Sequence, residues 1–144
     1  MFAKILYPTD FSDVSKKALN YLKQLKDAGA KEIVILHVID ERKIEAIALY
    51  GTSGSFVFIE KMEQEARKEV IAIEGELKKY GFEAKARIET GIPLREILRV
   101  EEEENVSLIV IGSHGKTNMK EMLLGSVSEK VIRRAKNPVL VIKR

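Results

Sequence analysis

Cysteine and tryptophan are both absent from this sequence, proline occurs three times, and no apolar run is long. Without cysteine there can be no disulfide, no thiol nucleophile and no metal site built on thiolate. Without a run of roughly 20 apolar residues no segment can cross a bilayer as a helix, so no membrane partner is expected. A large excess of one charge is missing too: 25 Lys and Arg face 22 Asp and Glu, for a net +3. Nucleic-acid binders gather their basic residues on one face, and here the two signs are interspersed, so nucleic acid is not an expected partner. The two charged runs, Glu101–Glu104 and Arg133-Arg134-Ala135-Lys136, fall near predicted helix ends and read as solvated ends. The basic run suits the negative end of a helix dipole. The first residues read as a strand rather than as a charged segment followed by an apolar core. A signal peptide is therefore not expected and a cytoplasmic location is.

What is present is enough chain for one domain, 1–144, with a buried core. Its charged third is dominated by Lys and Glu, a composition that suits a heat-adapted organism. Short apolar runs alternate with longer amphipathic ones. Strands are predicted over Lys4–Tyr7, Ile33–Val38, Ala84–Glu89, Leu108–Ile111 and Val139–Ile142. Four are nearly continuous Ile, Val and Leu, as strands covered on both faces are. The third, Ala84–Glu89, alternates small or apolar with charged residues, which marks an exposed or edge strand.

The intervening segments carry helical stripes. Val14, Ala18, Tyr21, Leu22 and Leu25 form one, with Ser12 as its N-cap and Gly29 as its stop. Ile59, Met62, Ala66, Val70, Ile73, Leu77 and Tyr80 form a longer one, ended by Gly81. Pro93 suits the first position of a third helix, and the last runs from Val127 to Ala135 ahead of Asn137-Pro138. Strands separated by helices imply βαβ units and a parallel sheet covered on both sides. The expected fold is α/β, a three-layer sandwich around a five-stranded parallel sheet. Residues 40–57, which include Tyr50-Gly51-Thr52-Ser53-Gly54-Ser55, break the rhythm. They read as a long loop, either a flexible flap over the ligand site or solvated disorder.

The chemistry is carried by glycines. Gly112 and Gly115 follow the run Leu108–Ile111, and after nine more residues Gly125-Ser126 stands where the last helix begins. Glycine lets backbone approach a ligand closely, and a helix start aims free N–H groups and a positive dipole end at an anion. Together they point to a nucleotide. A P-loop is excluded, because Gly115-Lys116-Thr117 would need a glycine where Val110 stands. The dinucleotide fingerprint is excluded as well, since the first strand ends in Pro8-Thr9-Asp10.

The remaining pattern, Gly112-x2-Gly115-x9-Gly125-Ser126, resembles the universal stress protein family in its nucleotide-binding branch. The likeness extends to Ile5-Leu6-Tyr7-Pro8-Thr9-Asp10-Phe11-Ser12, Leu36-His37-Val38, Gly91-Ile92-Pro93 and Asn137-Pro138-Val139-Leu140-Val141. It implies a Rossmann-like sheet of order 3-2-1-4-5, whose crevice between the first and fourth strands is a usual ligand position. It also implies an ATP-binding or other adenine-nucleotide site. There Gly112 and Gly115 would admit the ribose and α-phosphate. Gly125, Ser126, Val127 and Ser128 would offer N–H groups and hydroxyls to the outer phosphates. Ser126-Val127-Ser128-Glu129 also reads as a capping box, and both roles can hold.

Pro8, Thr9 and Asp10 belong to the implied site, where Asp10 would accept bonds from ribose hydroxyls. From the residues alone a turn carboxylate is as good a reading of Asp10. Val38 is carried over for a backbone contact to adenine and Ile111 as an apolar wall, although strand core would look the same. His114 is expected as a solvent-facing loop residue and His37 as a packed strand residue. Lys116 and Lys120 would lend charge near the phosphates or be ordinary loop lysines. Mg²⁺ or Mn²⁺ would be held mainly by phosphate oxygens and water, with no protein metal site expected. The bare apolar strand Val139–Ile142 invites pairing of two copies, and the resemblance likewise implies a homodimer. Three functions are left open: an ATP-dependent regulatory protein, a slow ATPase, or a dimeric module with an empty site.

Overall fold

The computed structural model describes residues 1–49, 51, 53–113 and 125–143. Five strands, β1 (Lys4–Pro8), β2 (Glu32–Asp40), β3 (Glu83–Gly91), β4 (Leu108–Gly112) and β5 (Val139–Ile142), form one sheet in the order β3-β2-β1-β4-β5. Every pairing is parallel. Helices α1 (Asp13–Leu25), α2 (Glu41–Leu49), α3 (Ser53–Lys79), α4 (Pro93–Glu104) and α5 (Ser126–Arg134) fill the connections. The three-layer α/β sandwich and its strand order are as expected.

Alternation along the strands divides the core in two. Ile5, Tyr7, Ile33, Ile35, Leu108 and Val110 face one way, against Ala18 and Leu22 of α1 and Val70 and Leu77 of α3. Leu6, Val34, Leu36, Ile109 and Ile111 face the other way, against Ile97 and Val100 of α4 and Val131 of α5. A strand buried on both faces must be apolar at consecutive positions, which is why β1, β2 and β4 lack a polar alternation. The edge strand β3 keeps one, with Lys85, Arg87 and Glu89 on its outer face.

Helix ends follow local chemistry. Ser12 caps α1, its Oγ accepting from the Ser15 N–H at 3.3 Å. Pro93 opens α4, and Asn105 closes it in the left-handed region at φ 52°. A 3-10 turn, Lys26–Ala28, extends α1 and is closed by Gly29 at φ 99°, and Gly81 at φ 103° comes just beyond α3, the two stops their positions in the sequence foretold.

Three expectations need correction. The segment 40–57 is mostly helical rather than a loop: Asp40 ends β2, α2 spans 41–49, and α3 already begins at Ser53. Glu41 through Leu49 is built of good helix formers with an acidic first turn, and Gly51, with φ 28°, lies between the two helices. Secondly, Ser126 does not cap α5. Gly125 is the N-cap and makes no side-chain cap bond, Ser126 is the first helical residue, and Glu129 pairs instead with Arg133 at 2.9 Å.

Thirdly, the acidic run of α4 is not simply solvated. Glu101 is 3 % exposed, and its Oε1 accepts from the N–H groups of Lys136 and Asn137 and from Asn137 Nδ2, each at 2.9 Å. The carboxylate replaces water for three donors of the turn that leads into β5. Burial of a charge is tolerable only with such partners.

Candidate functional site

The site begins where two strands stop unequally. Pairing between β1 and β2 runs from Lys4↔Glu32 to Pro8↔Leu36, whereas β2 continues beside β3 to Asp40. On its other side β1 neighbours β4. The chain builds outward from β1 in one direction and then returns to build the other half from β4, so a crevice opens beyond the strand ends at this switch point. It is a cavity of about 550 Å³.

The β1–α1 turn forms its floor. Thr9 is buried, and its N–H donates to Leu36 O at 2.8 Å. Its hydroxyl accepts from Ser15 Oγ at 2.6 Å and from the Phe11 N–H at 3.0 Å. Beneath lies Tyr7, wholly buried, whose hydroxyl donates to Ser15 O at 2.6 Å. Burial pushes the Tyr7 phenol above its ordinary range, against the opposing pull of its Ser15 bond, so it stays a neutral donor. Asp10 turns back on the chain, Oδ1 accepting from the Ser12 N–H at 3.0 Å. Phe11 occupies the left-handed region at φ 64°, a conformation costing an aromatic residue on the order of 1–3 kcal/mol. Its ring stacks on His37 with centroids 4.4 Å apart and planes inclined at 23°. His37 Nδ1 lies 2.8 Å from Thr9 O. A carbonyl can only accept, so Nδ1 carries the proton and the ring tautomer is set.

The opposite wall is the β4–α5 junction. Among the described residues it consists of Gly112, Gly125 and the first turn of α5, with Ser113 buried behind them. The Gly125 N–H donates to Ser113 O. Ser128 is buried, with its hydroxyl 3.0 Å from both Ser113 O and Gly125 O. That single proton is therefore committed to the backbone, and what Ser128 offers outward is its N–H. The N–H groups of Ser126, Val127 and Ser128 open a helix and have no carbonyl within it to bond. Ile111 and Val38 supply apolar wall, and Asp40, Arg42 and Lys43 line the β2–α2 rim. Arg42 holds Asp40 through bonds of 2.9 and 2.6 Å, and this bonding keeps the Asp40 carboxyl below its usual range.

Gly112 has a second reason to be glycine. A Cβ there would lie 2.8 Å from Val14 Cγ1 and 3.3 Å from the Ser15 nitrogen. The missing side chain lets the first turn of α1 close on the end of β4, and with it the whole floor of the crevice.

A description of the universal stress protein family matches residues 1–143. The chain belongs to that family. Universal stress protein MJ0577 of Methanocaldococcus jannaschii is 44% identical over 156 residues, covering 100% of this chain and 96% of that protein. Its solved structure superposes with a TM-score of 0.91 at 46% identity, covering 100% of this chain and 97% of the other. Universal stress protein YxiE of Bacillus subtilis is 39% identical over 150 residues, covering 99% of this chain and 100% of its own length. An Arabidopsis thaliana member solved with AMP bound has a TM-score of 0.71 over 99% of this chain and 92% of its own; at 19% identity the likeness speaks for the fold.

In this family member Pro8, Thr9, Asp10, Val38, Ile111, Gly112, Gly125, Ser126, Val127 and Ser128 all line this cavity. Gly115, His114, Lys116 and Lys120 lie outside the described residues. His37 is a half-buried strand residue, but it faces the cavity rather than core. Phe11, Ser15, Arg42 and the α3 residues Met62, Glu65 and Glu69, none of them expected at the site, line it as well. Of these α3 residues only Met62 belongs to the apolar stripe legible in the sequence, and that stripe could not say that one end of it borders a crevice. Among the described residues no group of three His, Asp or Glu side chains converges as metal ligands, and no helix is long and apolar enough to cross a membrane.

Proposed function

We propose that the chain binds ATP, or another adenine nucleotide, and acts as a nucleotide-dependent regulatory protein in stress response. The carrying observation is convergence: residues from β1, β2, β4 and α5, chosen for nucleotide chemistry, line one cavity of about 550 Å³. A volume of that order suits a compact organic ligand. Its walls pair apolar Val38 and Ile111 with a carboxylate, Asp10, and with the N-terminus of α5, which is the distribution a base, a ribose and a phosphate chain require. The same fold holds AMP in the Arabidopsis protein. A divalent cation would sit on the phosphates, with phosphate oxygens and water as its ligands.

In this reading Gly112 and Gly115 face the ribose and α-phosphate; the outer phosphates lie against Gly125, whose own N–H is held by Ser113, and take the backbone N–H groups of Ser126, Val127 and Ser128. Pro8, Thr9 and Asp10 meet the sugar, and the Val38 backbone meets adenine. The protein works in the cytoplasm as a homodimer joined through β5, without nucleic acid. Regulation requires two states that bind nucleotide unequally, and α2, which buries none of its side chains fully, is the element best suited to differ between them.

A slow ATPase is the other reading, and one experiment separates them. Protein purified without added nucleotide is denatured and the released small molecules identified; refolded protein is then incubated with labelled ATP, alone and with a cell extract. Retained, uncleaved ATP supports a binder. Turnover by the pure protein supports an enzyme, and absence of both leaves a module with an empty site. Gly125→Val, which places a branched side chain at the N-cap, should lower ATP affinity at least about a hundredfold while leaving the far-ultraviolet spectrum of the sheet unchanged. Normal binding by that variant would mean the phosphates lie elsewhere.

A further inference from the structure

We propose that Phe11 and His37 are positioning residues for the sugar end of the site: together they hold the Thr9–Asp10 turn so that Asp10 is presented to the hydroxyls of a bound ribose. The inference rests on the nucleotide reading above and names two residues to which that reading gives no part.

Asp10 can read a sugar only if its direction is set before the ligand arrives, because a carboxylate free to rotate spends binding energy on being ordered. The direction is set here by backbone. The Ser12 N–H on Oδ1, at 3.0 Å, ties the carboxylate to the turn that carries it. The turn includes Phe11 at φ 64°, a conformation that reverts to an ordinary one unless surrounding contacts over-determine it. Those contacts come from two sides. From α1, Ser15 Oγ bonds Thr9 Oγ1, which in turn accepts the Phe11 N–H at 3.0 Å. From β2, His37 applies two holds at once: its Nδ1 donates to Thr9 O at 2.8 Å, and its ring lies flat on that of Phe11.

The geometry of His37 serves this purpose better than plain packing would. One ring both bonds the residue before Asp10 and stacks on the residue after it, so Asp10 is bracketed. His37 also immediately precedes Val38 in β2, on the crevice side of the point where β1 pairing ends at Leu36. The wall assigned to the base and the turn assigned to the sugar are thus coupled through one side chain, and Phe11, His37 and Asp10 all line the same cavity.

The test compares ATP with an ATP analogue whose sugar lacks both hydroxyls, each titrated calorimetrically. Wild-type protein should prefer ATP by about tenfold or more, the ratio that hydrogen bonds to a charged group support. His37→Phe keeps an aromatic ring against Phe11 and removes the bond to Thr9; Phe11→Gly removes the ring and the strain together. Both should bring the preference to within about twofold of unity, chiefly by weakening ATP, whereas Phe11→Tyr should retain it. Asp10→Ala should abolish the preference, and adding His37→Phe to it should change the ratio no further. General loosening of the site would weaken both ligands equally and leave the ratio alone.

Wild-type preference preserved in His37→Phe and Phe11→Gly overturns the inference and leaves the nucleotide reading standing. Equal affinity of the wild type for both ligands also overturns it, since Asp10 then reads no sugar. Binding of neither ligand by the wild type removes the nucleotide reading, and this inference with it. Should Phe11→Gly fail to fold by circular dichroism, His37→Phe decides alone.

Discussion

The two edges of the sheet are built on opposite plans. β3 is nine residues long and carries Lys85, Arg87 and Glu89 on its outer face; β5 is four residues long and reads Val-Leu-Val-Ile. At the β3 edge Arg87, whose side chain is 17% exposed, pairs with Glu89 at 2.7 Å, Glu103 at 3.3 Å and Glu104 at 3.0 Å. Glu104 gathers Lys4 and Lys85 as well, at 3.4 and 2.9 Å. At the β5 edge there is no charge among residues 139–142, and Leu140 is 37% exposed. A long edge strand studded with charges resists pairing with another chain, while a short bare one permits it. The molecule thus guards one side of its sheet with charge and leaves the other bare, the asymmetry that the proposed dimer would need in order to close instead of growing into a fibre.

Giving β5 the character of β3 should have the largest effect. Leu140→Lys is expected to weaken the proposed self-association about a thousandfold, near 4 kcal/mol, read by sedimentation across a concentration series. Wild-type protein found monomeric throughout at micromolar concentration would remove the contrast altogether. Next in size is Glu101→Ala. It strips three donors of the 136–137 turn of their acceptor, and should cost about 3 kcal/mol in chemical denaturation, with β5 loosened first in hydrogen exchange. Glu101→Gln keeps an acceptor oxygen and should cost about 1 kcal/mol.

Smaller effects are expected on the guarded side. Arg87→Ala leaves Glu103 and Glu104 without their shared cation and should destabilise by about 1 kcal/mol, with the edge becoming more prone to aggregate. The smallest effect is in acid. Bonding to Lys85 and Arg87 keeps the Glu104 carboxyl below its ordinary value of 4.5. Its contribution is present in full above that value, where the unfolded chain is also ionised. It fades as pH falls through the lower folded-state value. Glu104→Gln should therefore flatten the acid limb of the stability curve below about pH 4.5 and leave its shape near neutrality unchanged. An unchanged acid limb would show that the bonds hold no favoured charge state.

These contrasts also separate what could be read along the chain from what could not. The extent of β5 was legible to the residue, because apolar continuity between Asn137-Pro138 and Lys143 is a local signal. The edge character of β3 was legible from its alternation. The segment 40–57 was misread because its glycines and serines outweighed the helix-forming run Glu41–Leu49 beside them. Glu101 looked like one more solvated acid, since nothing within a few residues shows that a turn 35 positions onward lacks acceptors.

At the crevice the same division holds. Glycine spacing and a helix start, both local, brought Gly112 and Gly125 together on paper. That Gly112 must also make room for Val14, that Ser128 turns its hydroxyl inward, and that His37 grips Thr9 across 28 positions belong to packing. Periodicity and turn chemistry act over a few residues, so the order of residues alone determined the α/β class, the strands and the family pattern. Which side chains share a wall depends on contacts between segments that only the folded sheet brings within bonding distance. For that reason the tertiary structure alone decided the floor of the cavity, the hold on Asp10 and the unequal edges.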